Sequence, residues 1–252
     1  MPHTTNHWLD LNSGMTRPQV FECSDGVDRV VKMLDLCTAS SLASDWMGCL
    51  LAAHLEILTP TPSIVTVDEM SIATMPEAIR RTAKPGIAFG TTYIRLADPV
   101  FALGSILACP NHRELLSRLV TLDSWIHTED RMRPEFGRNL LIDKEERNPL
   151  LMAIDFGMCF SEVLRPLLVP HDGTVSLVMH DGIAAIVDHR EIAQALDRIE
   201  STTDADIVKM VNTTPEPWLS AEAKGKMSAY LLRTRQLVGP VIRQELGMDM
   251  LT

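Results

Sequence analysis

The sequence predicts an α+β fold of two lobes: a small β-rich N-terminal lobe carrying one long helix, residues 1–95, and a larger, mainly helical lobe, residues 96–252. Three observations carry that prediction. β-rich runs bounded by turn residues fill the first third of the chain. From about residue 98 the apolar spacing becomes helical. Two short strand-like runs, "RNLLID" and "LLMAID", bracket the polar turn "KEERNP" and put a β-hairpin at the entrance of the larger lobe.

The elements follow in order. "PQVFECS" and "DRVVKML" are strands joined through Asp25-Gly26, a dipeptide that favours hairpin turns. "SSLASDWMGCLLAAHLEI" is the long helix, opened by serines able to accept from its first free N–H groups. Leu42, Trp46, Cys49, Leu50 and Ala53 recur at helical spacing and predict its apolar face. "TPTPSIVTVDEM" and "GIAFGTTYIRL" supply two more strands. "DPVFALGSILA" and "RELLSRLVTLDSWI" read as helices, as does the C-terminal "SAEAKGKMSAYLLRTRQLVGPVIRQEL", with a kink expected near Gly239-Pro240.

Composition narrows the function classes. A hydrophobic content of 46% with 22% charged residues fits a globular protein. The net charge of −10 argues against general binding to nucleic acid or anionic membranes, which need excess cation. No secretory signal and no bilayer-spanning run is read, so a cytoplasmic location is expected. Five widely spaced cysteines without a C-x-x-C pair suit reduced thiols rather than a disulfide frame or zinc site. The two "HDG" triplets, at 171–173 and 180–182, read as turn signals before metal ligands.

Single residues carry little. Lys32 ends a strand and could be a solvated edge charge, Asn139 could be a turn residue, and Asp130 could cap a helix or pair with Arg131. "DFG" at 155–157 could be a strand running into a turn. Their order says more. A strand lysine, an acid on the next helix, then Asp, Asn and Asp-Phe-Gly around a hairpin is the order of parts in protein kinases. The fold prediction thereby sharpens to a two-lobed protein-kinase-like fold. Phosphoryl transfer from ATP needs a cation on the inner phosphates, hard oxygens for Mg²⁺ and a carboxylate to orient the attacking hydroxyl.

"DR…RNLLI…LLMAIDFG" resembles the catalytic segment shared by HipA-like kinases and phosphoinositide kinases, rather than the H-R-D of ordinary protein kinases. "DGVDRVVK", "SSLASDWMGCLLAAHLEILTPTPSIVTV" and "PGIAFGTTYI" resemble, in that order, the small lobe of the bacterial HipA-like kinase domain family. The resemblance covers about residues 10–165. It implies ATP and Mg²⁺ as cofactors, with Lys32 on the phosphates, Asp130 as catalytic base, and Asn139 and Asp155 as metal ligands. It also implies a hinge at Thr92, Tyr93 and Ile94 whose backbone faces adenine, and a phosphate turn at Ser13-Gly14-Met15-Thr16.

Two departures stand out. Asp45 replaces the family's helix Glu, which predicts poorer pairing with Lys32 or pairing only after a helix shift. Asp130 and Asn139 are nine residues apart rather than five. Either the loop bulges outward on Pro134 and Gly137, or the base is another acid, Glu129 or Glu135. The expected activity is phosphorylation of a Ser or Thr hydroxyl on a protein substrate, with an antitoxin or regulatory partner. The alternatives are a small-molecule kinase, a lipid kinase (disfavoured by the acidic chain) and a pseudokinase adaptor.

Overall fold

Five antiparallel strands build the N-terminal part of the molecule: β1 (Thr4–Asp10), β2 (Gln19–Cys23), β3 (Arg29–Lys32), β4 (Pro62–Val67) and β5 (Gly86–Thr92). Their order in the sheet is β1-β2-β3-β5-β4, and a bridge from His3 to Thr66 draws the two edges together. The computed structural model describes residues 1–11, 16–128, 130–131, 138–145, 147–164, 175–180 and 182–248. The β2–β3 reversal forms as expected. Gly26 takes φ 78°, open to glycine without cost, and the Asp25 carboxylate receives two hydrogen bonds from the Arg29 guanidinium at 2.6 and 2.7 Å.

One face of this sheet packs Phe21, Val31, Val65 and Ala88 against Ile72 of α2 (Glu69–Ala73) and Ile79 of α3 (Glu77–Arg80). Beside the sheet runs α1 (Ala39–His54). Its cap is Thr38, whose hydroxyl accepts from the Ser41 N–H at 3.1 Å, two residues before the serines that the sequence suggested. Its buried side is broader than the predicted stripe. Leu42, Ala43, Met47, Gly48, Cys49, Leu51 and Ala52 are buried, whereas Trp46 and Leu50 are half-buried and Ala53 is exposed. The helix is wedged between strands β4 and β5 and two later helices, so neighbours cover more than one narrow face.

The hairpin belongs to a three-stranded sheet of β6 (Ala97–Pro99), β7 (Leu140–Asp143) and β8 (Leu150–Ala153), with β7 central. The stretch read as a helix at 98–108 divides instead into the edge strand β6 and a short α4 (Leu103–Leu107). Pro99 lacks the N–H that a central strand would need, and an edge position tolerates it. Then come α5 (His112–Ile126), α6 (Ser161–Leu164), α7 (His189–Ser201), α8 (Asp204–Asn212) and α9 (Ala221–Glu245). The last helix runs continuously through Pro240.

A single apolar cluster runs from α1 through α5 and the hairpin to α7, α8 and α9, with Trp125 and Phe156 fully buried in it. Polar ties add to this contact. Trp46 Nε1 donates to Thr213 Oγ1 at 3.0 Å, and Trp218 Nε1 donates to the Ile87 carbonyl at 3.4 Å. Among the described residues, no helix is long and apolar enough to cross a membrane.

Candidate active site

Strand β3 ends at Lys32, which register sets opposite Phe89 of β5 and which α1 overlooks. Its ammonium donates to Asp45 Oδ2 of α1 at 2.8 Å and to Asp155 Oδ1, just past β8, at 2.9 Å. The substitution of Asp for Glu on α1 therefore does not prevent pairing. The helix sits close enough for the shorter acid to reach. Gly48 sets the distance of the same helix from the Asp-Phe-Gly segment: a Cβ there would lie 2.3 Å from Phe156 Cβ, so glycine is what lets Phe156 press onto α1. Asp45 Oδ1 also accepts the Phe156 backbone N–H at 2.9 Å, tying the helix acid to the Asp-Phe-Gly segment.

Burial opposes all three charges, and the outcome differs at each. Asp45 is pushed up to about 6 because burial outweighs the attraction of Lys32 and Asp155 repels it. At Asp155, whose side chain is 40% exposed, burial also pushes upward, but Lys32's charge and hydrogen bond win and hold the carboxyl below its ordinary value. Burial pulls Lys32 down, yet two carboxylates together raise it, so it stays a cation.

The second half of the site is the stretch from Asp130 to Asn139. Residues 132–137 lie outside the description, as do the alternative bases Glu129 and Glu135, but the two ends meet. Asn139 Nδ2 donates to Asp130 Oδ2 at 3.2 Å. Nine residues of separation are thus compatible with contact between the predicted base and the predicted ligand. Asp130 Oδ1 is buried with no hydrogen-bond partner among the described residues, an arrangement that costs free energy unless another donor is supplied. Burial first, and Asp155 second, push the Asp130 carboxyl above its ordinary value.

A hard divalent cation fits this donor set. Both bonds to Asp155 fall on Oδ1, and the bond to Asp130 uses only the side-chain amino group of Asn139, so Asp155 Oδ2 and the side-chain Oδ1 of Asn139 are the oxygens to offer. Among the described residues, no group of three His, Cys, Asp or Glu side chains could hold a metal unaided. Two protein oxygens completed by phosphate and water is the usual arrangement for Mg²⁺.

Other predicted residues fare differently. Ser13 and Gly14 lie outside the described residues. Thr92 ends β5 and Tyr93 follows it, but their N–H groups donate to the Thr61 carbonyl at 3.0 Å and the Asp28 carbonyl at 2.8 Å. The hydrogen-bonded ladder runs on through them, so those two amides do not face an adenine; Ile94 is the next residue in line. Tyr93 instead meets Trp8 edge-on, with ring centroids 5.2 Å apart.

Sequence reasoning missed one centre. Arg131 does not pair with Asp130. Its Nε donates to Asp123 Oδ2 of α5 at 3.0 Å, and both side chains are almost fully buried. Its Nη1 donates to the Ile154 carbonyl at 2.7 Å and the Asn139 carbonyl at 3.2 Å, while its guanidinium stacks 4.6 Å above the Phe156 ring. One signal was available: Asp123 is an acid in the last turn of α5, the end where the helix dipole disfavours it, so a nearby cation was called for.

Comparison with known proteins gives a family and a fold. A family model described as HipA-like kinase matches residues 9–241. The crystal structure of the Helicobacter pylori proinflammatory kinase CtkA superposes with a TM-score of 0.63 at 10% identity, covering 94% of each chain. The Golgi casein kinase superposes with a TM-score of 0.54 at 9% identity, over 98% of this chain and 75% of that one. Its structure with Mn/ADP bound gives 0.54 at 11% identity, over 96% and 73%. At such identities the likeness is one of fold. No match was found among curated proteins.

Proposed function

The chain belongs to the HipA-like kinase family, and from that premise we propose that it transfers the terminal phosphoryl of ATP, with Mg²⁺, to a Ser or Thr hydroxyl on a protein. The observation that carries this reading is Lys32, held 2.8 Å from Asp45 and 2.9 Å from Asp155 although 123 residues separate it from the latter. A fold built merely for stability gains little from a buried cation shared between two carboxylates. A nucleotide site gains a cation already aimed at the cleft, beside a half-exposed acid.

In this reading the lysine steadies the inner phosphates, and Asp45 keeps it from swinging away. Asp155 Oδ2 and Asn139 Oδ1 would hold the cation. When bound, Mg²⁺ would neutralise charge on the phosphate oxygens as the terminal group departs. Asp130 accepts the proton of the attacking hydroxyl: its Oδ2 is fixed by Asn139, and the acceptor hydroxyl meets the unsatisfied Oδ1. Its raised proton affinity makes it a stronger base than an exposed aspartate. The neighbouring fold of the Golgi casein kinase, described with Mn/ADP bound, supports a nucleotide and divalent metal here. The choice of a protein hydroxyl as acceptor rests on the family resemblance.

The test is transfer of labelled phosphate from ATP to protein, in the native chain and in Asp130→Asn. The expected result is transfer that falls about 10²–10⁴-fold in the variant, while ATP affinity is retained. Equal transfer by both would remove Asp130 as base. A native chain that binds Mg-ATP and transfers nothing would favour the adaptor reading instead.

A further inference from the structure

We propose that Arg131 is a positioning residue that sets the separation of the two metal-binding side chains, with Asp123 as its counter-ion; this rests on the metal-dependent reading above. Both carbonyls that Arg131 Nη1 clasps belong to the backbone of the site. One is that of Asn139 itself, and the other is that of Ile154, the residue before Asp155. Asn139 and Asp155 have φ of 50° and 56°, left-handed conformations that Asn and Asp enter more readily than other residues with a side chain, so the two turn the chain here at low cost. The strands alone supply one bond across this junction, from the Ile154 N–H to the Asn139 carbonyl at 3.0 Å.

Arg131 adds two donors to those carbonyls and locks its own place from three directions. Asp123 binds its Nε and Nη2 edge, the two carbonyls bind Nη1, and the Phe156 ring covers its face. Only a planar guanidinium meets all three at once; a lysine ammonium has neither the fork nor the flat face. A simple staple between α5 and the hairpin would not need to reach these two carbonyls rather than any others. Outer partners that orient ligands typically govern metal affinity about 10–100-fold.

The experiment measures ADP affinity by calorimetry with and without Mn²⁺, in the native chain, Arg131→Lys and Asp123→Asn, each checked for folding by thermal unfolding. The expected result in Arg131→Lys is that metal-free ADP binds as before while the tightening caused by Mn²⁺ falls about tenfold or more. Asp123→Asn, which keeps the carbonyl clasp but loses the charge that seats it, should show a smaller fall, above about twofold. A folded Arg131→Lys with undiminished Mn²⁺ tightening overturns the proposal. If Arg131→Lys does not fold, Asp123→Asn decides alone, and an unchanged Mn²⁺ effect in it overturns the proposal equally. Absence of any Mn²⁺ effect in the native chain would instead remove the metal-dependent reading on which the proposal stands.

Discussion

Lys32 and Arg131 are both buried cations, each bound to a helix aspartate and each touching the Asp-Phe-Gly segment, yet they are built for opposite ends. The Lys32 centre is open on one side: Asp155 is 40% exposed, and the ammonium is a compact charge that can turn from a carboxylate to a phosphate. The Arg131 centre is closed. Arg131 and Asp123 are exposed by 0% and 1%, and the fork of the guanidinium is occupied along both Nε and Nη1. The difference teaches that a buried ion pair is not one kind of feature. Whether it binds a ligand or holds a frame depends on which of its members can still reach water.

The comparison breaks most visibly in stability. Asp123→Ala leaves Arg131 charged, buried and without its counter-ion, for which the usual cost is about 3–5 kcal/mol. Lys32→Met should cost less under acid conditions, because Asp45 can take up a proton. The sign follows from its raised value, about 6 against an ordinary 3.8. The folded state binds that proton more tightly than the unfolded one, so the stabilisation is complete below about 4 and is lost as pH rises through about 6. Without the lysine the window moves higher still. Urea unfolding at pH 5.5 and pH 8 should therefore show a pH-dependent penalty for Lys32→Met and a nearly constant one for Asp123→Ala. Equal and pH-independent losses would mean that the two centres are energetically alike after all.

How far each centre was legible in the sequence follows the same division. Lys32, Asp45 and Asp155 each end or sit within an element whose pattern is local: a strand, a capped helix, a strand running into a turn. Their order along the chain was enough to group them. Arg131 was visible as a residue but not as a partner of Asp123, because that contact depends on α5 passing behind the hairpin. Strand β1 was missed for a similar reason: "TTNHWLD" has no apolar alternation, and its place comes from pairing with β2. The hinge amides were assigned by resemblance, and the ladder to Thr61 and Asp28 could not be read from residues alone.

A smaller effect tests the link between the centres. Phe156 lies under Arg131 on one side and against Gly48 on the other. Gly48→Ala would force its new methyl into Phe156, an overpacking that typically costs about 1–3 kcal/mol. The alternative is for Phe156 to move, taking with it the N–H that binds Asp45. Nucleotide affinity should weaken along with stability, although residue 48 makes no contact proposed for nucleotide. Thermal unfolding with and without Mg-ATP reads both. A variant destabilised but still shifted as much as the native chain by Mg-ATP would separate the packing from the site.

The smallest expected effect belongs to the ion pair at the β2–β3 turn, which serves as a control for both centres. Asp25 is held down to about 2 by the hydrogen bonds from Arg29, but its side chain is 42% exposed and water screens the attraction. A lowered carboxyl stabilises the fold above its ordinary value of 3.8 and loses that contribution as pH falls toward about 2. Asp25→Asn should therefore lower Tm by only ~2 °C at neutral pH, converging on the native chain at strongly acid pH, with no change in nucleotide affinity. A drop as large as that of Asp123→Ala would show that hairpin closure, rather than burial of charge, governs how an ion pair contributes here.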